Sequence, residues 1–108
     1  MRSYLLIESR DPFDAVDTSH SYDLARRLAG QGHVTVFLTQ NAVLPARRAS
    51  AAAGLLRGVA ESATVLADDF SLRERGITDA ELVDGVTPAP IDRLVELLVE
   101  DGRTAVWH

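Results

Sequence analysis

The apolar positions of this chain fall into short runs whose spacing changes from continuous to helical and back. Residues 4–7, Tyr-Leu-Leu-Ile, are apolar on every position, which suits a strand buried on both faces of a parallel sheet; the polar, proline-containing stretch that follows reads as a loop. From about residue 16 to 29 the pattern turns helical, with Leu24, Ala25, Leu28 and Ala29 on one side and Gly30 or Gly32 available as a left-handed cap. Residues 33–38, His-Val-Thr-Val-Phe-Leu, are β-branched and aromatic and form the strongest strand signal in the chain. An Ala-rich helix is predicted over 45–60, weakened at Gly54 and Gly58, and then a third strand over 63–67.

Beyond that strand the signals are local. Ser71 and Glu74 have the spacing of a capping box, opening a short helix that Gly76 ends; Thr78 and Glu81 repeat the device. Pro88 and Pro90 bound a loop, with Pro90 suited to a first helical turn. Ile91, Leu94, Val95 and Leu98 form an amphipathic stripe that Leu97 and Val99 widen beyond the need of one core face. Residues 104–107 make a final strand. Strands alternating with helices predict one α/β domain over residues 1–108, with a mostly parallel sheet flanked by helices on both faces and a strand order left open.

Composition narrows the class. Aromatics are 6% of residues, so the core has to rest on Ala, Val, Leu and Ile. The formal charge of −5 argues against a nucleic-acid partner, since phosphates need a basic stripe, and the Arg47–Arg48 and Arg73–Arg75 pairs read as solvated helix faces. There is no cysteine, hence no disulfide and no thiolate for nucleophilic, redox or metal chemistry. The first apolar run is too short for a signal peptide and no stretch is long enough to span a bilayer, so a cytoplasmic location with no membrane partner is expected.

In an open α/β sheet ligands bind outside the carboxyl ends of the strands. That rule selects Ser9, Arg10 and Asp11 (with Asp14 beyond them), Gln40 and Asn41, and Asp68 and Asp69 as ligand-binding candidates. Each has a plainer role. The first group reads as a solvated turn, Asn41 as a helix cap, and Asp68 or Asp69 as an acid stabilising a helix N-terminus. His20, His33 and His108 lack metal-ligand spacing, and no phosphate-binding or nucleophile motif is present, so no metal, cofactor or catalytic residue is assigned.

The order of segments resembles the DsrE/DsrF-like family of small sulfur-relay proteins over nearly the whole chain. The likeness is carried by the first strand, by the run Gly32-His33-Val34-Thr35-Val36-Phe37-Leu38, by Asn41-Ala42-Val43, by Arg75-Gly76-Ile77-Thr78 with the acidic residues after it, and by the closing helix and strand. The resemblance implies a flavodoxin-like fold, a homo-oligomer (trimer or hexamer), and, in sulfur-carrying members, a cysteine at the end of the third strand. Counting back from Gly76, that place falls at Asp68, and a carboxylate cannot form a persulfide. The expectation is a non-catalytic family member binding a small ligand or protein partner at the carboxyl edge of its sheet. The alternatives are a small enzyme using Asp68 or Asp69 with Arg10 or His20, and a magnesium- or nucleotide-binding module built on Asp11, Asp14 and Asp68.

Overall fold

The computed structural model describes residues 2–11, 18–100 and 103–107. Among these residues five strands and four helices follow one another as β1 (Arg2–Glu8), α1 (Thr18–Ala29), β2 (Gly32–Leu38), α2 (Ala53–Ala60), β3 (Thr64–Asp68), α3 (Asp69–Glu74), β4 (Val86–Ala89), α4 (Ile91–Val99) and β5 (Arg103–Trp107). Two 3-10 turns, Gln40–Ala46 and Asp79–Glu81, interrupt the connections. The strands lie in the order β4-β3-β2-β1-β5 and every neighbouring pair is parallel.

This order explains the layers. From β1 to β4 the chain steps always in the same direction, so right-handed crossovers place α1, α2 and α3 on one face. It then returns past β1 to add β5, and the reversed step puts α4 on the other. The two cores differ accordingly. The larger gathers Leu6, Val36, Leu38 and Val65 from the sheet with Tyr22, Ala25, Leu56 and Leu72 from the helices. The smaller holds Leu5, Ile7 and Phe37 under Leu94 and Leu97 of α4. Buried side chains of this size are worth about 1.5–3 kcal/mol each.

The domain, its parallel sheet and the helices on both faces are as the sequence predicts; several local elements are not. Residues 86–89 form a strand rather than a loop, with Pro88 paired to Ala67. Proline cannot donate to a ladder, and on an edge strand one side of the backbone has no ladder to feed. Helix α2 begins only at Ala53, because the segment holding Pro45 coils as a 3-10 turn in which Pro45 is buried. Arg47 and Arg48 therefore sit in a loop, where Arg48 Nε donates to the Leu82 carbonyl at 2.8 Å. Neither Gly30 nor Gly32 is left-handed. Gly32 opens β2 where a Cβ would stand 2.2 Å from the Arg2 carbonyl oxygen, so its value is close approach to β1. Gly76, at φ +66°, is the left-handed residue that ends α3 as expected. The Thr78–Glu81 box is present, with the Thr78 amide donating to Glu81 Oε1 at 3.1 Å and holding that carboxyl below its usual pKa.

The stripe on α4 is turned from its expected placement. Leu94 and Leu97 are buried, while Ile91, Val95, Leu98 and Val99 are exposed. Among the described residues only one helix covers this face, and an apolar arc this wide cannot all reach the sheet beneath it.

Candidate functional site

Strand β3 ends at Asp68, and the chain turns at once into α3. The Asp68 carboxylate caps that helix: Oδ2 accepts the Ser71 amide at 3.1 Å and the Ser71 hydroxyl at 2.6 Å. The helix therefore starts at Asp69 with Asp68 as its cap, and Ser71 lies inside the first turn rather than ahead of it, contrary to the capping box read from Ser71 and Glu74. Asp69 turns to Arg73, one helical turn on, at 3.7 Å.

Strand β2 ends beside β3, and its exit is tied to the same hydroxyl. The Gln40 amide donates to Ser71 Oγ at 2.9 Å, and Thr39 Oγ1 lies 3.4 Å from it. Holding that bond places Gln40 at φ 53°, the left-handed region, which costs a residue with a Cβ on the order of 1 kcal/mol. Ser71 Oγ thus spends its proton on Asp68 and accepts from Gln40. It is buried and has no base other than its own capping partner, so it serves as a joint between the two strand exits.

Asn41 does not cap a helix. Its Oδ1 accepts from Arg75 Nη2 at 3.0 Å and Nε at 3.2 Å, and Arg75 Nη1 donates to the Ser71 carbonyl at 3.2 Å. The cap is absent because residue 41 already lies within the 3-10 turn, one position past its start. Arg75, expected on a solvated face, is instead a half-buried brace across the two loops.

Between these exits lies a cavity of about 410 Å³, lined by Thr39, Gln40, Asn41, Asp68, Phe70, Ser71, Glu74 and Arg75. Asp68 is 5% exposed, and its second oxygen, Oδ1, has no hydrogen-bond partner among the described residues. A buried acceptor left unmet costs about 1–3 kcal/mol. Three of the seven sequence-derived candidates, Gln40, Asn41 and Asp68, come together here. Ser9, Arg10, Asp11 and Asp69 do not line the cavity. Asp14 and His108 lie outside the described residues; His20 is exposed at the start of α1. Among the described residues no group of three or more His, Asp or Glu could hold a metal ion.

Phe70, Glu74 and Arg75 were not candidates from sequence. The signal available was their helical spacing behind Asp68, which puts them on the turn that faces the β2 exit. Glu8 was also missed: it ends β1 as a buried residue, close enough to Tyr22 to act on its ionisation. Burial first, and then the charges of Glu8 and Asp11, push the Tyr22 phenol far above its ordinary pKa.

A doubly wound, flavodoxin-like domain with a polar pocket at the carboxyl edge is the class that this fold and site define. No family model and no curated protein sequence matches the chain. Solved structures do. The chain superposes on MTH1491, a protein of unknown function from Methanobacterium thermoautotrophicum, with a TM-score of 0.81 at 18% identity, covering 99% of this chain and 98% of that one. It superposes on the ychN protein of E. coli with a TM-score of 0.83 at 21% identity, covering 98% and 100%. A conserved protein of unknown function from Bacteroides thetaiotaomicron, BT1422, gives 0.79 at 14% identity, covering 98% and 94%. At these identities the likeness is one of fold, and it spans the whole domain in each case.

Proposed function

We propose that this chain is a non-catalytic, self-associating member of the DsrE/DsrF-like family that binds a small polar ligand or a partner segment in the Asp68 pocket and carries no persulfide. The observation that carries the reading is the position of Asp68: at the end of β3, where the resemblance places the sulfur-bearing cysteine, and lining the cavity. A carboxylate there keeps the location of a reactive group and removes its chemistry. Binding is what remains open to such a residue, and its buried, unmatched oxygen is suited to it.

The geometry does not favour the enzymatic alternative. Asp69 is paired with Arg73, and neither Arg10 nor His20 lines the pocket, so none of the partners expected for Asp68 is in it. Self-association draws its support from the apolar side chains left outside the fold, Ile91, Val95, Leu98 and Val99 on α4 with Val106 and Trp107 on the edge strand β5.

The test is an amide-resolved NMR screen of the protein against a panel of small polar metabolites. The expected result is a set of shifts concentrated on residues 39–41 and 68–75. Ligands that perturb only residues away from these two strand exits would contradict it.

A further inference from the structure

The pocket's own groups define the chemistry it takes. Its charged lining is two carboxylates, Asp68 and Glu74, against one guanidinium, Arg75, and all three nitrogens of that guanidinium are already held by Asn41 and the Ser71 carbonyl. The unmet group is an acceptor, Asp68 Oδ1, nine-tenths buried with its residue. It needs a donor, and the neighbouring hydroxyl cannot supply one, because Ser71 gives its proton to Oδ2. Phe70 lines the same cavity and is 58% exposed, offering an aromatic side chain of the kind that attracts cations carrying alkyl groups.

We infer that the Asp68 pocket binds a primary organic ammonium group, its N–H donated to Asp68 Oδ1, its charge balanced by Glu74, and its carbon chain against Phe70. The inference rests on the pocket being a binding site and adds the class of ligand. Oδ1 is shielded from solvent in the empty protein, so the ammonium reaches it only by displacing the atoms over it, and in doing so replaces a costly unmet acceptor with a charge-assisted bond.

The experiment is a titration of isotope-labelled protein with propylammonium chloride. Parallel titrations use tetramethylammonium chloride, sodium acetate and calcium chloride at matched ionic strength. Propylammonium is expected to shift the amides of Gln40, Asn41 and Ser71 saturably, and tetramethylammonium, which has no N–H, to do so at least tenfold more weakly. Asp68→Asn keeps an oxygen to cap Ser71 while placing an amide donor beside it, so it should remain folded and lose propylammonium affinity at least tenfold. Phe70→Leu, outside the cap, should weaken binding several-fold and serves as the second variant.

Unchanged affinity in both variants would overturn the inference. Equal shifts from calcium chloride would overturn it in favour of a metal cation. Acetate shifting these amides while propylammonium does not would overturn the ligand class and leave the pocket as a binding site; silence from every probe at these residues would count against both.

Discussion

At the scale of single residues, Asp68 has two oxygens with different tasks. One is structural: Oδ2 satisfies an amide and a hydroxyl of the following helix. Replacing Asp68 by Ala should therefore cost about 1–2 kcal/mol in denaturant unfolding, whereas Asn, an equally good cap, should stay within about 0.5 kcal/mol of the parent. The other oxygen, Oδ1, is buried and has no hydrogen-bond partner among the described residues. Gln40 is the complementary case, a residue held in left-handed backbone so that its amide can reach Ser71. Gln40→Gly should leave that bond intact and raise stability by up to about 1 kcal/mol, less what glycine loses through the freedom of the unfolded chain.

Tyr22 gives a residue-level pH test. Its phenol is buried without a hydrogen-bond partner among the described residues, and its pKa is raised above the ordinary 10.0. A raised folded-state pKa means the folded protein holds its proton more tightly than the unfolded chain. The contribution is therefore complete below pH about 10 and is lost as pH rises beyond it. Tyr22→Phe, which removes no hydrogen bond, should show near-parental stability at neutral pH and a shallower alkaline decline in thermal melts. An alkaline decline identical to the parent's would place the responsible group elsewhere.

At the scale of elements, the sequence was most legible where a whole segment carried one periodicity. The apolar run at 4–7 and the β-branched run at 33–38 stand as adjacent parallel strands, paired Tyr4 to Val34 and Ile7 to Phe37. It was least legible where tertiary context overrode a local signal. Two prolines argued for a loop at 88–90, but an edge strand tolerates one of them. Asn41 had the chemistry of a cap, but a guanidinium from 34 residues away had the stronger claim on its oxygen. Ser71 and Glu74 had the spacing of a box, but Asp68, three residues before Ser71, satisfies the Ser71 amide instead. In the candidate site, the residues just after strand ends could be named in advance. Arg75, Phe70 and Glu74 could not, because their part depends on how closely α3 is drawn to the β2 exit.

The α4 helix offers a check on layer assignment. Leu97 is buried against the smaller core, and Leu97→Ala should lower stability by roughly 2–5 kcal/mol. Val99, 74% exposed in a single copy, should tolerate Ala or Thr within about 0.5 kcal/mol when the isolated protomer is measured. Equal costs at both positions would mean that the helix is rotated from the orientation described.

At the scale of the whole molecule, the two faces of the sheet are unequally served. Among the described residues three helices cover one and α4 alone covers the other, and α4 leaves apolar side chains outward next to an edge strand whose Val106 and Trp107 are also exposed. Exposed edges and apolar patches of this kind invite pairing unless something covers them. Among the described residues no helix is long and apolar enough to cross a membrane, so a bilayer-spanning segment is not what α4 supplies. A second copy of the chain is the occupant that the resemblance implies. The double substitution Val95→Asp and Leu98→Asp would put charge on that surface without touching Leu94, Leu97 or the pocket.

Equilibrium sedimentation of the unmodified protein at micromolar concentration, with the V95D/L98D variant beside it, tests the assembling, binding-protein account most directly. A trimer or hexamer for the parent and a folded monomer for the variant are the predicted result. A parent that sediments as a monomer throughout, or a variant that assembles just as well, would contradict it.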